Sequence, residues 1–477
     1  MGEIEDHPMT GTPPSPDMET IRAWRRAHSG IDSLRVAVAD LNAMARAKRL
    51  PADALEKVWT EGIRMPLSAG NLDIWGTDIE DSPLLFASGD ADGVVLPTGR
   101  APLPMGWLAR PAALVHGWFF EETETGALRP FAGDGRQALA GVLAQYAARG
   151  WRPVVGSEME FHLLARGAEP PEPAISPSTG RPFRSSEILS LRELDAVDPF
   201  LSALYDSLAA MDVPARAAIA ESGTGQFEID IGHQADALKA ADDIWAFRLA
   251  AKGVAARHGM TATFMAKPWP DQPGNGLHFH VSVLDAAGRN LFDDGTARGG
   301  PLLRSAIAGI LAALPDLALV FFPHRNSWRR MQADSHAPTR ASWGYENRTA
   351  AIRVPGGPAP ARRLEFRVAG GDVNPWLALA ALLGAMLRGM QSGATPPPPV
   401  CGNAYEAAEA PPLPRDWKGA IKRFASSPFV TEIFAPELID GYVRCKRQER
   451  ARFEKLIAEK GEEAADALEF STYPHRL

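Results

Sequence analysis

Acidic residues at strand spacing constrain this chain more than any other feature. Glu158-Met-Glu160, Glu221, Glu228 and Glu365 are far apart in sequence, with His278 and His280 between them. Strand side chains two apart share a face, so Glu158 and Glu160 stand about 7 Å apart on one side. His278 and His280 pair in the same way within Leu277–Leu284, which alternates like a strand. Gathering so many carboxylates is expensive unless a cation neutralises them. Arg348, Arg353, Arg362, Arg363 and Arg367 crowd around Glu365, and guanidinium forks suit phosphate and carboxylate oxygens. Together these groups read as divalent-metal and phosphate chemistry. Taken singly, each has a plainer reading. Glu158 and Glu160 suit a solvated strand face, Glu221 to Glu228 a polar loop, the histidines a structural pair, and the arginines an exposed basic ribbon.

The bulk properties narrow the class. A length of 477 residues allows two to three domains and a large core. Hydrophobic content of 45% and charged content of 23% are those of a soluble globular protein. The net charge of −8 argues against a general nucleic-acid or anionic-membrane surface. Cys401 and Cys445 provide neither a disulfide framework nor a thiolate metal site, which fits a cytoplasmic location. The N-terminus lacks the basic start and apolar run of a secretion signal. The apolar stretches Ala306–Leu314 and Leu377–Leu387 are too short to span a bilayer and read as core helices.

Residues 1–20, rich in proline and acids, read as a disordered tail. Residues 21–132 read as a small sheet-rich N-terminal domain, with a helix at Ile21–Ala27 and a strand at Leu34–Asp40. Over 133–477 longer elements take over. Helices are predicted at Gly135–Arg149, Asp236–His258, Leu302–Leu314, Asn374–Met390, Trp417–Phe424 and Pro436–Glu462, and strands at Pro153–Leu164 and Leu277–Leu284. Pro396–Pro399 reads as a rigid linker or loop. The class is α+β. Neither a P-loop nor a nucleophile elbow occurs, so a nucleotide would have to be held by metal, arginine and histidine.

The blocks Gly156–Phe161, Glu221–Ile229, Thr263–Pro268, Gly274–His280, Asn347–Arg353, Arg363–Arg367 and Asn374-Pro-Trp376 together resemble the glutamine synthetase superfamily. The resemblance covers about residues 130–390, and more loosely the N-terminal part looks like that family's β-grasp domain. It implies a large catalytic domain built on a curved antiparallel sheet with flanking helices. It also implies two Mg²⁺ or Mn²⁺ ions, one on Glu160, Glu221 and Glu228, the other on Glu158, His278 and Glu365. ATP would meet His280, Ser282, Arg353 and Arg363, glutamate would meet Arg330, Arg367 and the backbone at Gly274, and Arg348 would meet the transferring phosphoryl group. The resemblance further implies a double-ringed homo-oligomer, often a dodecamer.

Two departures point to one branch. Where ammonia-using members carry a flap glutamate, this chain has His336, and no tyrosine occurs between Phe161 and Leu204 to complete an ammonium site. The family's Asp-Gly-Ser-Ser segment is not found either; Asn71-Leu-Asp-Ile-Trp75 stands in its region. The metal and phosphate residues match. That pattern resembles the glutamate–amine ligases, the γ-glutamylputrescine and γ-glutamylpolyamine synthetases among them. An imidazole at 336 suits a general base for an alkylammonium. Two other readings stay open: a glutamine synthetase with a rebuilt ammonia pocket, and a catalytically silent member with a structural or regulatory role.

Overall fold

A computed structural model of the chain describes residues 17–184, 187–332, 335 and 337–477. Helix α1 spans Met18–Ala27, its first amides capped by the Asp17 carboxylate. It therefore begins inside the expected tail, of which residues 1–16 lie outside the described residues.

The first sheet contains β1 (Ser33–Ala39), β2 (Ala45–Pro51), β3 (Ile63–Pro66), β4 (Asp92–Pro97), β5 (Leu103–Pro104), β6 (Ala112–Glu122) and β7 (Leu128–Pro130). Its main order is β2-β1-β6-β4-β3, with β1 and β6 parallel and β5 and β7 also on β6. Helix α2 (Leu55–Glu61) buries Leu55, Val58 and Trp59 in a core with Leu34, Val36 and Phe119.

The second sheet follows α3 (Gly135–Ala147). Its strands are β8 (Arg152–Ala165), β9 (Ala215–Ala220), β10 (Gln226–Gln234), β11 (Met260–Thr263), β12 (Leu277–Leu284), β13 (Trp343–Tyr345), β14 (Ile352–Val354) and β15 (Leu364–Phe366). The order is β13-β14-β15-β12-β8-β10-β9, with β11 also on β8, and among the described residues only β13 and β14 of this sheet pair in parallel. Alternation divides β8 cleanly. Val155, Met159, Phe161 and Leu163 are buried in the core, while Glu158 and Glu160 point to the partly open face.

Helices α4 (Leu191–Ala196), α5 (Asp198–Ala210), α6 (Ala237–Arg257), α7 (Pro301–Phe321) and α8 (Pro375–Ser392) surround this sheet, and α6 packs on β8 and β10. Helix α7 runs past the expected end at Leu314 and through Pro315. Burial of Leu317, Leu319, Val320 and Phe321 outweighs the hydrogen bond that proline removes. At 21 residues it is long and apolar enough to cross a membrane by composition, contrary to the estimate from the shorter apolar run. Of its most apolar stretch, 72% is buried inside the protein, as in a core helix.

The chain continues through α9 (Trp417–Ser426), α10 (Pro428–Ile433), α11 (Pro436–Lys460) and α12 (Glu462–Arg476). Gly461, at φ +84°, breaks α11 from α12, a helix beyond the predicted end at Glu462. Pro396–Pro399 is a loop fastened to β13, because Trp343 Nε1 donates to the Pro397 carbonyl at 2.7 Å and Val400 N to the Trp343 carbonyl at 2.8 Å. The Asn71–Trp75 segment packs on the chain's own C-terminal helices: Gln448 donates to Asp73 at 3.0 Å and Trp75 to Thr472 at 3.0 Å.

Candidate active site

Register brings the scattered acids together. On β8 and β12, Glu158 lies opposite His278; on β8 and β10, Glu160 lies opposite Glu228. Across β12, β15 and β14, His280 faces Glu365, which in turn faces Arg353. Directly opposed residues share a face, so five adjacent strands send their acids, imidazoles and guanidinium groups to one side. A cavity of about 360 Å³ opens there, lined by Glu158, Glu160, Glu221, Glu228, His278, Gly274, Arg330, Arg348 and Arg367 among others.

Glu158 anchors the imidazoles. Its Oε2 is 3.0 Å from His278 Nδ1 and its Oε1 is 2.7 Å from His280 Nε2. Burial alone would raise its pKa, but these two hydrogen bonds prevail and hold it well below the usual carboxylate range. Arg363 Nε reaches His280 Nδ1 at 3.1 Å. Glu365, fully buried, sits between Arg353 Nη1 at 2.8 Å and Arg367. Burial pushes its carboxyl up, and Arg367 with His278 and His280 brings it below its ordinary value.

The β10 side is the opposite. Glu228 is pushed up to about 10 by burial and by the charges of Glu160, Glu158, Glu221 and Asp230. Glu221 is pushed up to about 7 by burial and by Glu160, with Arg348 pulling the other way. Glu160 accepts the Gly276 amide at 2.6 Å and Gln226 Nε2 at 3.4 Å. Two trios, Glu158–His278–Glu365 and Glu160–Glu228–His278, bring one ligand atom from each residue within 4.8 Å of one another. Their oxygen and imidazole donors suit Mg²⁺ or Mn²⁺. A dication would also supply the positive charge that Glu221 and Glu228 lack. The residues fit.

The other expected residues divide in two. Arg330 Nη1 donates to the Val368 carbonyl at 2.8 Å and lines the cavity beside Gly274. Any side chain at Gly274 would sit 2.2 Å from the Ala266 carbonyl oxygen, which explains the glycine. Glu221 lines the cavity but belongs to neither trio. Ser282 lies two residues beyond His280, opposite Val154, and does not line the cavity. His336 lies outside the described residues.

Sequence reasoning missed Asp230, Gln226 and Asn275. Asp230 faces Glu158 across β8 and lines the cavity, and continuing the alternation from Glu228 would have found it. Gln226 bridges Glu160 to the Gly274 carbonyl (3.1 Å), and buried Asn275 holds His162 Nδ1 at 2.8 Å. Neither carries a local signal, because each acts through partners distant in sequence.

Comparison with known proteins agrees with this geometry. Residues 132–463 match the family model described as glutamine synthetase, catalytic domain. The chain is 32% identical over 445 residues to the γ-glutamylputrescine synthetase of Escherichia coli (strain K12), covering 92% of this chain and 93% of that one. It is 33% identical over 324 residues to the γ-glutamylethanolamide synthetase of Streptomyces coelicolor (strain ATCC BAA-471 / A3(2) / M145), covering 68% and 69%. A solved structure described as a GmaS/ADP complex superposes with a TM-score of 0.78 at 26% identity, covering 92% of this chain and 99% of that one.

Proposed function

This chain belongs to the glutamine synthetase family, and within it we propose that the protein joins the γ-carboxylate of glutamate to an organic amine, such as putrescine or another polyamine, at the expense of ATP. The observation that carries this reading is the pair of acid–imidazole trios in a cavity flanked by arginines. The relatives named above are synthetases of γ-glutamyl amides, which supports an amine as acceptor.

In this assignment Arg330, Arg367 and the backbone at Gly274 hold glutamate, and Arg353, Arg363 and His280 meet the nucleotide phosphates. Glu158, His278 and Glu365 would hold one dication, and Glu160, Glu228 and Glu221 the other. When bound, such ions polarise phosphoryl and carboxylate oxygens. Arg348 neutralises the phosphoryl group as the γ-carboxylate oxygen attacks the terminal phosphorus and ADP departs. The product is γ-glutamyl phosphate, and the amine nitrogen then attacks its carbonyl carbon, with phosphate leaving. The ammonium substrate must first lose a proton. Glu221 lines the cavity and His336 follows Ser335, which also lines it; we assign proton acceptance to these two.

The assembly is proposed as a homo-oligomer of two stacked rings in the cytoplasm. Light scattering should give a mass about twelve times that of one chain. Glutamate-dependent ADP and phosphate release with a panel of amines tests the activity. The reading expects release with an alkylamine or polyamine to exceed release with ammonium by at least tenfold. Equal release with ammonium would favour a glutamine synthetase, and no release with any acceptor would favour a silent member.

A further inference from the structure

The cavity is not polar throughout. Its arginine side lies toward β15, and its opposite side ends at the edge strand β9, where Ala217 and Ile219 line it together with Ile188 and Leu189. Ile219 is paired with Glu228 across β9 and β10, so this apolar surface adjoins the carboxylates directly. Ile188 and Leu189 are 58% and 67% exposed, which excludes a role in the core. Soluble proteins tolerate single exposed apolar side chains, but a contiguous set at a cavity mouth marks a contact surface.

The backbone is committed to this arrangement. Leu189 has φ +59°, a left-handed conformation that a leucine rarely adopts. Its amide donates to the Ala220 carbonyl at 2.8 Å, which ties the segment to the end of β9 beside Glu221. Such strain persists only where surrounding structure imposes it, and it clusters at functional sites.

We propose that Ile188, Leu189 and Ile219 form the wall on which the arm of the acceptor amine lies, so that the acceptor is a primary amine carrying several methylene groups. The inference rests on the ligase reading above and specifies its substrate class. The ammonium end faces Glu221 and the neighbouring acids, while the methylenes leave water against the wall. Ammonium itself has no arm to place there, and methylamine has almost none. Diamines and alkylamines of similar reach both belong to the class.

The test is a chain-length series with the full-length protein, Mg²⁺, ATP and glutamate: methylamine, ethylamine, propylamine and butylamine, followed by ADP release. Each methylene buried against the wall should raise kcat/KM about two- to fourfold, giving about 10- to 60-fold from methylamine to butylamine. The double substitution Ile188→Ser with Leu189→Asn removes most of the apolar wall, leaving Ile219, and keeps a residue that tolerates the left-handed backbone. It should reduce the gain over the whole series to about twofold. A flat wild-type series overturns the wall while leaving the ligase reading standing, and so does a substituted protein that keeps the wild-type slope. Failure of every amine to drive ADP release overturns the ligase reading, and the wall with it. The wild-type series decides the matter even if the substituted protein folds poorly.

Discussion

Two buried glutamates in this molecule, Glu449 and Glu228, have opposite electrostatic surroundings. Glu449, on α11, is fully buried and fully partnered. It accepts from Tyr473 at 2.7 Å and from Lys446 at 3.1 Å, and lies 2.9 Å from His324 Nδ1. Burial pushes its carboxyl up, but Lys446 and His324 bring it down to about 2. Lys446 also donates to Asn42 at 2.6 Å, so the cluster fastens the first sheet to the C-terminal helices. Glu228 is nearly as buried, yet among the described residues no hydrogen bond or ion pair reaches its carboxylate, and its neighbours are acids. One cluster closes its charge balance within the fold. The other leaves a deficit that a cation would fill, which is the difference expected between a structural ion network and a reactive one.

Substitutions should divide along the same line. Glu449→Gln leaves Lys446 buried without its carboxylate and should lower stability by about 3–5 kcal/mol, read by chemical denaturation. Glu160→Gln should instead act on turnover, lowering kcat/KM for ADP release by about 100-fold, or about 3 kcal/mol of transition-state stabilisation. If Glu160→Gln unfolds the protein as Glu449→Gln does, the distinction between the clusters fails.

Proton linkage sharpens the contrast. With metal chelated, Glu221 and Glu228 keep protons in the folded chain up to about 7 and about 10, whereas the unfolded chain releases them near 4.5. The folded state then binds more protons, so stability should fall as pH rises through that window. Glu449 behaves in reverse. Its folded value of about 2 lies below 4.5, so its contribution is present at neutral pH and is lost as pH falls from about 4.5 toward 2. Denaturation in EDTA from pH 3 to pH 9 should therefore show both limbs, and excess Mg²⁺ should flatten only the alkaline one. Glu228→Gln is the smallest change. In metal-free protein at pH 4, where Glu228 is mostly protonated in both states, it replaces a neutral acid by a neutral amide and should shift stability by no more than about 0.5 kcal/mol, whereas at pH 7 it removes a group that ionises only in the unfolded chain and should raise stability.

Much of the reactive cluster is legible in sequence because strand alternation is local. Leu277–Leu284 has the same bounds in both readings, and Glu158 with Glu160 share a face as their spacing dictates. The arginine-rich region is different. Its strands β13, β14 and β15 are three residues each, too short for periodicity, and they are defined by their pairing, β15 on β12, β14 on β15 and β13 on β14. Helix α7 outruns Pro315 because tertiary burial overrides a local breaker. The partition of the acids was less accessible still. Glu221 follows β9 at the sheet edge, whereas His278 reaches toward both trios, and only three-dimensional register distinguishes them.

The most direct test of the central claim is Mn²⁺ binding to the nucleotide-free protein, by calorimetry at pH 7 in two buffers of different ionisation enthalpy. A cluster short of positive charge should take up about two ions per chain and release protons as Glu228 and Glu221 ionise, and Glu228→Gln should weaken binding at least about tenfold and diminish that release. Absence of Mn²⁺ binding, or binding with no proton release and no sensitivity to Glu228→Gln, would contradict the account.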